Sequence, residues 1–279
     1  MIMTKIKNSL PQILLITGLA ILCMIMLMPF LWVISTSLRL PSASFALPPV
    51  FFPTAFHVEN YSEVFKMFPF AQVIMNSVKI AVIIVVSNLV ISTMAGYAFA
   101  RIDFKGRDVV FLIILAGMMI PGQAKLIPTF IVMTQLGLVG THASLILPAI
   151  ISPINIFFIR QFMMTIPKSY EEAAYLDGAG RFTIYLRVFL PMSKSVIMMT
   201  SMLSFLASWN DFINPLIFIS KFEKATLPLA LSILNGAQGN GSVSMIFAGV
   251  TMSLIIPFLL FSFGQKYIMQ SVVMSGLKS

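Results

Sequence analysis

Few side chains in this 279-residue chain could do chemistry: it holds 9 Asp and Glu, 2 His and 1 Cys. Two carboxylates stand out by their setting. Glu172 lies in a polar stretch with Ala173 and Ala174 directly behind it and Asp177, Gly178 and Ala179 a turn later. Asp211 lies inside an otherwise apolar run, beside Trp209, Asn210 and Asn214. General acid–base chemistry needs carboxylates that converge, and on one helix Glu172 and Asp177 fall on different faces. His57 and His142 stand alone and far apart, with no H-E-x-x-H and no Cys/His ligand spacing, which argues against a metal enzyme. Cys23 has no partner for a disulfide and sits in an apolar run, where a thiol behaves as a small hydrophobe. The chain lacks G-x-x-x-x-G-K-[ST], so it cannot hold a nucleotide in the P-loop manner. The pattern points to binding and passage rather than turnover, with no cofactor on this chain.

The elements that must position these residues are membrane spans. Of the residues 58% are hydrophobic and 10% charged, far below the roughly 25% charged residues of soluble domains. Apolar runs long enough to cross a hydrocarbon core as helix recur at 13–35, 72–99, 109–134, 143–164, 195–219 and 243–265. The first is too long for a signal-peptide core and lacks a small-x-small cleavage site behind it, so it reads as a retained span. The net charge of +9 is scattered between the runs rather than gathered on one face, which fits topology and not nucleic acid. With the N-terminus inside, twelve Lys and Arg fall on the inner side and six on the outer side, the bias of a chain with both termini in the cytoplasm. The reading is therefore an all-α integral membrane protein of six spans forming one transmembrane domain, 1–279.

Proline marks the irregular places. Pro121, Gly122 and Gln123 interrupt the third run, and Pro128 follows, so that span can end near Met119 with a second, outer segment over 126–136. The stretch 40–69 is rich in proline and reads as an ordered outer loop with a short helix. The other outer loop, 220–242, carries Asn235, Gly236, Gln238, Gly239 and Asn240, a polar and flexible run. Ser92, Gly96 and Ala100 recur at fourfold spacing and make a stripe that lets another helix come close, while Asn88 reads as packing glue. Asp211 costs roughly 2.5 to 3.5 kcal/mol to bury in hydrocarbon and must face protein or water. Its residues leave two readings open: a path or gate residue with Trp209, Asn210 and Asn214, or a hydrogen-bonded link between helices.

The inner loop 167–194 is polar enough to leave the bilayer yet patterned like folded helix. Ser169 and Glu172 fit an S-x-x-E capping box for a helix beginning near Tyr170 and stopping near Gly178. Tyr170, Ala173, Ala174 and Asp177 then share a face, with almost no side chain on the two alanines. Such a face suits close docking of another protein, and the residues alone serve a solvated connection as well.

Glu172-Ala173-Ala174, Asp177-Gly178-Ala179 and the later Leu190-Pro191 resemble the EAA loop of ABC importer permeases. Trp209 to Phe212 with Pro215 and Leu216, then Thr226 to Leu229, and Gln265 to Tyr267 leading to Gly276, are similar to the carbohydrate-uptake branch, specifically its maltose-transporter-like inner-membrane subunit. The resemblance covers 72–279 and implies a multi-pass subunit of the bacterial inner membrane. It implies a coupling helix seated in a cleft of a separate ATPase subunit, with Glu172 and Gly178 as contact positions within a segment that includes Ala173, Ala174, Asp177, Ala179, Leu190 and Pro191. It also implies a second permease subunit, two ATPase subunits holding ATP and Mg, an extracytoplasmic binding protein, a sugar-like solute, and an outer loop around Asn235 to Asn240 that reaches toward that solute. A secondary transporter or channel would instead need a set of intramembrane ion ligands, and this chain offers Asp211 alone.

Overall fold

The computed structural model describes residues 2–40, 51–53, 55–237 and 243–276. Among them every regular element is helical. In chain order these are α1 (Ile2–Ser37), α2 (Glu59–Met67), α3 (Phe70–Arg101), α4 (Arg107–Met119), α5 (Gly122–Gln135), α6 (Ala143–Ile146) with a 3-10 turn over Leu147–Ala149, α7 (Pro153–Thr165) and α8 (Ser169–Leu176). There follow α9 (Arg181–Ile184), a π-helical turn over Tyr185–Phe189, α10 (Leu190–Met192), α11 (Lys194–Trp209), α12 (Ile213–Phe218), α13 (Leu227–Ala237) and α14 (Val243–Gly276).

Among the described residues, four helical stretches are long and apolar enough to cross a membrane, and six are if each of two bent pairs counts as one span. The first, second and sixth expected spans are α1, α3 and α14, each longer than its apolar run; α3 alone is about 48 Å at 1.5 Å per residue. The third run is broken as its prolines suggested. α4 and α5 meet at 103° because Ile120 and Pro121 take extended angles, ψ 118 and ψ 140, and proline has no N–H to continue the ladder. The second segment starts at Gly122, four residues earlier than expected, and Pro128 is accommodated inside it. The fifth run differs more. It is continuous only to Trp209, and the chain turns at 210–212 before α12, where Pro215 cannot donate back to the Asp211 carbonyl.

The chain divides into two compact units, Met1–Phe68 with Ile233–Leu254, and Pro69–Ser232 with Ile255–Ser279. In the first, the segment after α1 is strapped to that helix's C-terminal end. The His57 N–H donates to Leu38 O at 2.9 Å, Asn60 Nδ2 donates to Ser37 O and Arg39 O at 2.8 Å each, and the Ser37 and Tyr61 hydroxyls meet at 2.7 Å. Free carbonyls at a helix end need such partners. The ordered loop with a short helix read from 40–69 is thus present over its described part.

In the second unit α3 is the central helix, packed along α7 and α11. Gly96 makes the α3–α7 approach possible: a Cβ there would stand 2.6 Å from Ile159 Cγ2 and 3.2 Å from the Arg160 backbone N. The small-residue stripe therefore faces a helix, as its spacing suggested. Polar side chains join the broken helices. Asn88 Nδ2 donates to Ala149 O at 2.8 Å, Asn155 Nδ2 donates to Ser204 Oγ at 2.7 Å, and the Leu227 N–H donates to Ser77 Oγ at 2.7 Å. At one end of α3, Tyr97, Ile159, Met163, Ile184, Tyr185, Phe189 and Val196 form a closed apolar core.

Candidate functional site

The loop 167–194 is helical over most of its length and packs on that core. α8 starts at Ser169, one residue earlier than expected, because Lys168 already has helical angles, φ −63 and ψ −25. Lys168 O then accepts from the N–H groups of Glu171 and Glu172, at 2.9 and 3.0 Å. Ser169 lies within the first turn and makes no cap hydrogen bond, so the expected capping box is not formed. Glu172, relieved of that bond, is exposed, a carboxylate at the positive end of a helix.

Gly178 ends α8 as expected. Its φ is +79, and the Gly178 N–H donates to Tyr175 O at 3.0 Å while that of Ala179 donates to Ala174 O at 2.9 Å. This is the paired 5→2 and 6→1 pattern of a Schellman stop. Ala174 and Ala179 pack against the core, the apolar contact that accompanies that motif. The expected face is thereby split: Tyr170, Ala173 and Asp177 are exposed, and Ala174 turns inward. Leu176, which sequence reasoning passed over, is 90% exposed, with Tyr175 and Phe182 also exposed. An outward leucine in the middle of a polar loop gains nothing from water, and with its aromatic neighbours it makes an apolar surface that suits a protein partner.

Leu190 and Pro191 lie away from that surface. Leu190 packs on the core, and its N–H bonds to Tyr185 O to close the π turn. Pro191 follows at a joint where the 181–192 segment and α11 meet at 78°, and its missing N–H explains why the ladder gives way there. Leu190 shapes the elbow from within, while Pro191 is exposed. Glu171 and Arg101, also passed over, meet beneath α8. Nothing in the sequence separates Glu171 from Glu172 until the phase of the helix is known.

A second polar region lies among the helices of the same unit. An open cleft of about 1020 Å³ is lined by Asn88, Gln123, Asn155, Ser204, Asp211 and Asn214 among others, and by no Lys, Arg or His among the described residues. Three helix breaks open onto it: Gly122 at the start of α5, Ser152 and Pro153 at the start of α7, and Asp211 between α11 and α12. Asp211 Oδ1 accepts from the Asn214 backbone N–H at 3.2 Å, and its Oδ2 accepts from Asn214 Nδ2 at 2.8 Å. The carboxylate thus caps a half-helix while remaining at the cleft wall. Asn88 Oδ1 and Thr226 Oγ1, both lining groups, are buried without a hydrogen-bond partner. Of the four path residues expected, Asp211 and Asn214 line this cleft. Trp209 instead stacks on Phe205 with ring centroids 5.5 Å apart and is buried, and Asn210 is exposed outside the lining. Both follow from α11 ending at Trp209. Of the outer-loop residues, Asn235 and Gly236 fall in the last turn of α13, and Gln238, Gly239 and Asn240 lie outside the described residues.

The comparisons with known proteins agree with this architecture. A family model for the binding-protein-dependent transport system inner membrane component matches residues 88–273. The chain is 35% identical over 269 residues to the arabinooligosaccharides transport system permease protein AraQ of Halalkalibacterium halodurans, covering 95% of this chain and 96% of that protein. It is 31% identical over 279 residues to the trehalose/maltose transport system permease protein MalG of Thermococcus litoralis, covering 98% and 99%. It is 29% identical over 271 residues to the lactose transport system permease protein LacG of Rhizobium radiobacter, covering 97% and 98%. A chain from the crystal structure of a bacterial ABC transporter involved in the import of the acidic polysaccharide alginate shares the fold, with a TM-score of 0.81 at 24% identity over 94% of this chain and 98% of that one. With two apolar half-helices bent at proline, a polar cleft among them and an EAA-type elbow on the core below, the chain belongs to the family of inner membrane components of binding-protein-dependent transport systems: a multi-pass ABC permease and not itself an enzyme.

Proposed function

We propose that this chain forms one half of the membrane path of an importer for a neutral, sugar-like solute, as a single permease domain with both termini in the cytoplasm. A second permease subunit supplies the other half. Two ATPase subunits, which hold the ATP and Mg, drive alternation of access, and an extracytoplasmic binding protein delivers the solute. The outer face of α8, with Glu172, Ala173, Asp177 and Leu176, docks on one ATPase subunit, and Gly178 gives the close turn at its end. The loop that includes Asn235 to Asn240 faces the binding protein.

The observation that carries the solute class is the lining of the cleft. Amides and hydroxyls supply donors and acceptors, two buried oxygens are left unpartnered, and among the described lining residues the one acidic side chain is Asp211. Hydroxyl groups both donate and accept, so a polyol satisfies such a wall; an anion meets a carboxylate and no cation there. The names of the relatives, which refer to arabinooligosaccharides, trehalose and maltose, and lactose, point the same way. The test is uptake by proteoliposomes holding the full complex, given the binding protein outside and ATP inside. Neutral di- and oligosaccharides should accumulate only with ATP, and uronate oligomers should not. Preference for an acidic oligomer would overturn the solute class, and uptake driven by an ion gradient without ATP would overturn the importer reading.

A further inference from the structure

Several polar contacts fasten the EAA elbow to α3: the Tyr97 hydroxyl donates to Arg181 O at 3.3 Å, the Thr93 and Tyr185 hydroxyls meet at 2.8 Å, and Arg101 faces Glu171, the contact among these that reaches α8 itself. Arg101 is the last residue of α3 and its side chain is 5% exposed. Its Nη2 donates to Met163 O at 2.6 Å and to Ile166 O, both at the C-terminal end of α7. Met163 O also accepts from the Ile166 N–H at 3.3 Å, so the guanidinium uses its second lone pair, and a cation is favoured where the last carbonyls of a helix cluster. Nη1 lies 4.0 Å from Glu171 Oε2, a carboxylate 15% exposed in the first turn of α8. The plane of the guanidinium covers the Phe189 ring at 4.7 Å, in the π turn before α11. One side chain thus touches α3, α7, α8 and the elbow of α11.

A second arginine makes the comparison that assigns a role. Arg160 of α7 donates through Nε to Phe99 O at the end of α3, at 3.2 Å, and covers the Phe111 ring of α4 at 4.0 Å. The two arginines cap each other's helices, and Gly96 brings the same pair together a turn away. α3 and α7 are therefore joined at this end whether or not Arg101 reaches α8. What Arg101 adds is the tie to Glu171, and with it the adjacent acids divide: Glu172 faces outward and Glu171 inward.

We infer that Arg101 is the positioning residue that makes α8 travel as one piece with α3 and α7, so that a push on the outer face of α8 becomes a displacement of the cleft wall. Asn88 and the Ile80–Ile84 stretch of that wall belong to the same α3. The inference rests on the proposed docking of an ATPase on α8. A pair this buried is rigid because its groups are worth little apart: a lone buried charge costs far more than the pair gains. Lysine in place of Arg101 keeps the charge but cannot reach two carbonyls and a carboxylate from one planar fork while laying a flat face on a ring.

The test uses the full complex in proteoliposomes and compares native protein with Arg101→Lys, Glu171→Gln and Arg160→Lys, measuring solute moved per ATP hydrolysed. Arg101→Lys should retain the ATPase on co-purification and keep hydrolysing, yet move about fivefold less solute per ATP, the low end of ordinary coupling between sites. Glu171→Gln should lower the ratio in the same sense, and the double variant should be no worse than Arg101→Lys alone. Arg160→Lys should lower the melting temperature without changing the ratio. Equal ratios in the native and Arg101→Lys complexes, or a fall in transport that follows the melting temperature across all three variants, would overturn the inference. If Glu172→Lys holds as much ATPase as native protein, the docking reading fails instead, and the inference fails with it.

Discussion

Gly178 shows how much of the elbow depends on one residue. Its φ of +79 is in the left-handed region, and no atom lies within 4 Å of where a Cβ would stand. The need for glycine in this chain is therefore conformational, not a matter of space. Gly178→Ala should cost roughly 1 to 2 kcal/mol through that backbone strain alone. Asn, which tolerates the left-handed region, should cost less. Thermal unfolding of the purified chain gives this ranking. If the same surface is covered by an ATPase, as proposed, Gly178→Asn should weaken ATPase recovery more than its melting temperature accounts for, because the new side chain then meets the partner. Matching losses for Ala and Asn in both measurements would mean that neither the backbone angle nor the partner matters there.

Among the elements, α3 carries the largest share of the architecture. It is the wall of the cleft at Ile80, Ile84 and Asn88, the packing partner of α7 at Gly96, and the tether of α8 at Arg101. Gly96→Ala should force α3 and α7 apart, at a cost of about 1 to 3 kcal/mol for overpacking, set against a gain of up to ~1 kcal/mol in helix propensity. Since Ile159 Cγ2 is the atom met first, Gly96→Ala with Ile159→Ala should destabilise the chain by less than the two singles added together, which melting of the purified variants in one detergent can show. Additive losses would mean the helices do not meet at this point. The sequence already held the stripe of Ser92, Gly96 and Ala100, the proline break at 121 and the glycine stop at 178, because each rests on a local rule about one residue's backbone or size. It did not hold the break at 210–212: apolar residues resume at Phe212 after Asn210 and Asp211, so the run reads as one span, whereas the Asp211 bond from Asn214 and the missing donor at Pro215 end the helix. Nor did it separate Glu171 from Glu172. A start one residue earlier, at Ser169, decides which acid faces Arg101, and an end set by a bonding pattern cannot be read from spacing to that accuracy.

At the scale of the molecule, the described residues of the second unit hold two groups of polar side chains that matter for function: the cleft where half-helices break, and the elbow beneath α3 and α7. The first offers hydrogen-bonding groups along a cleft, and the second presents an outward face with Glu172, Tyr170, Tyr175 and Leu176. That another chain acts at this face, as proposed, is the central claim. It is tested by tagging the chain, extracting it from its native membrane in mild detergent, and identifying by mass spectrometry what accompanies native protein and Glu172→Lys. A P-loop ATPase and a second multi-span permease should come with native protein, and the variant, which sets a cation where a carboxylate faces the partner, should keep the permease and lose most of the ATPase. Recovery of the chain alone, unchanged by the substitution, would contradict the account.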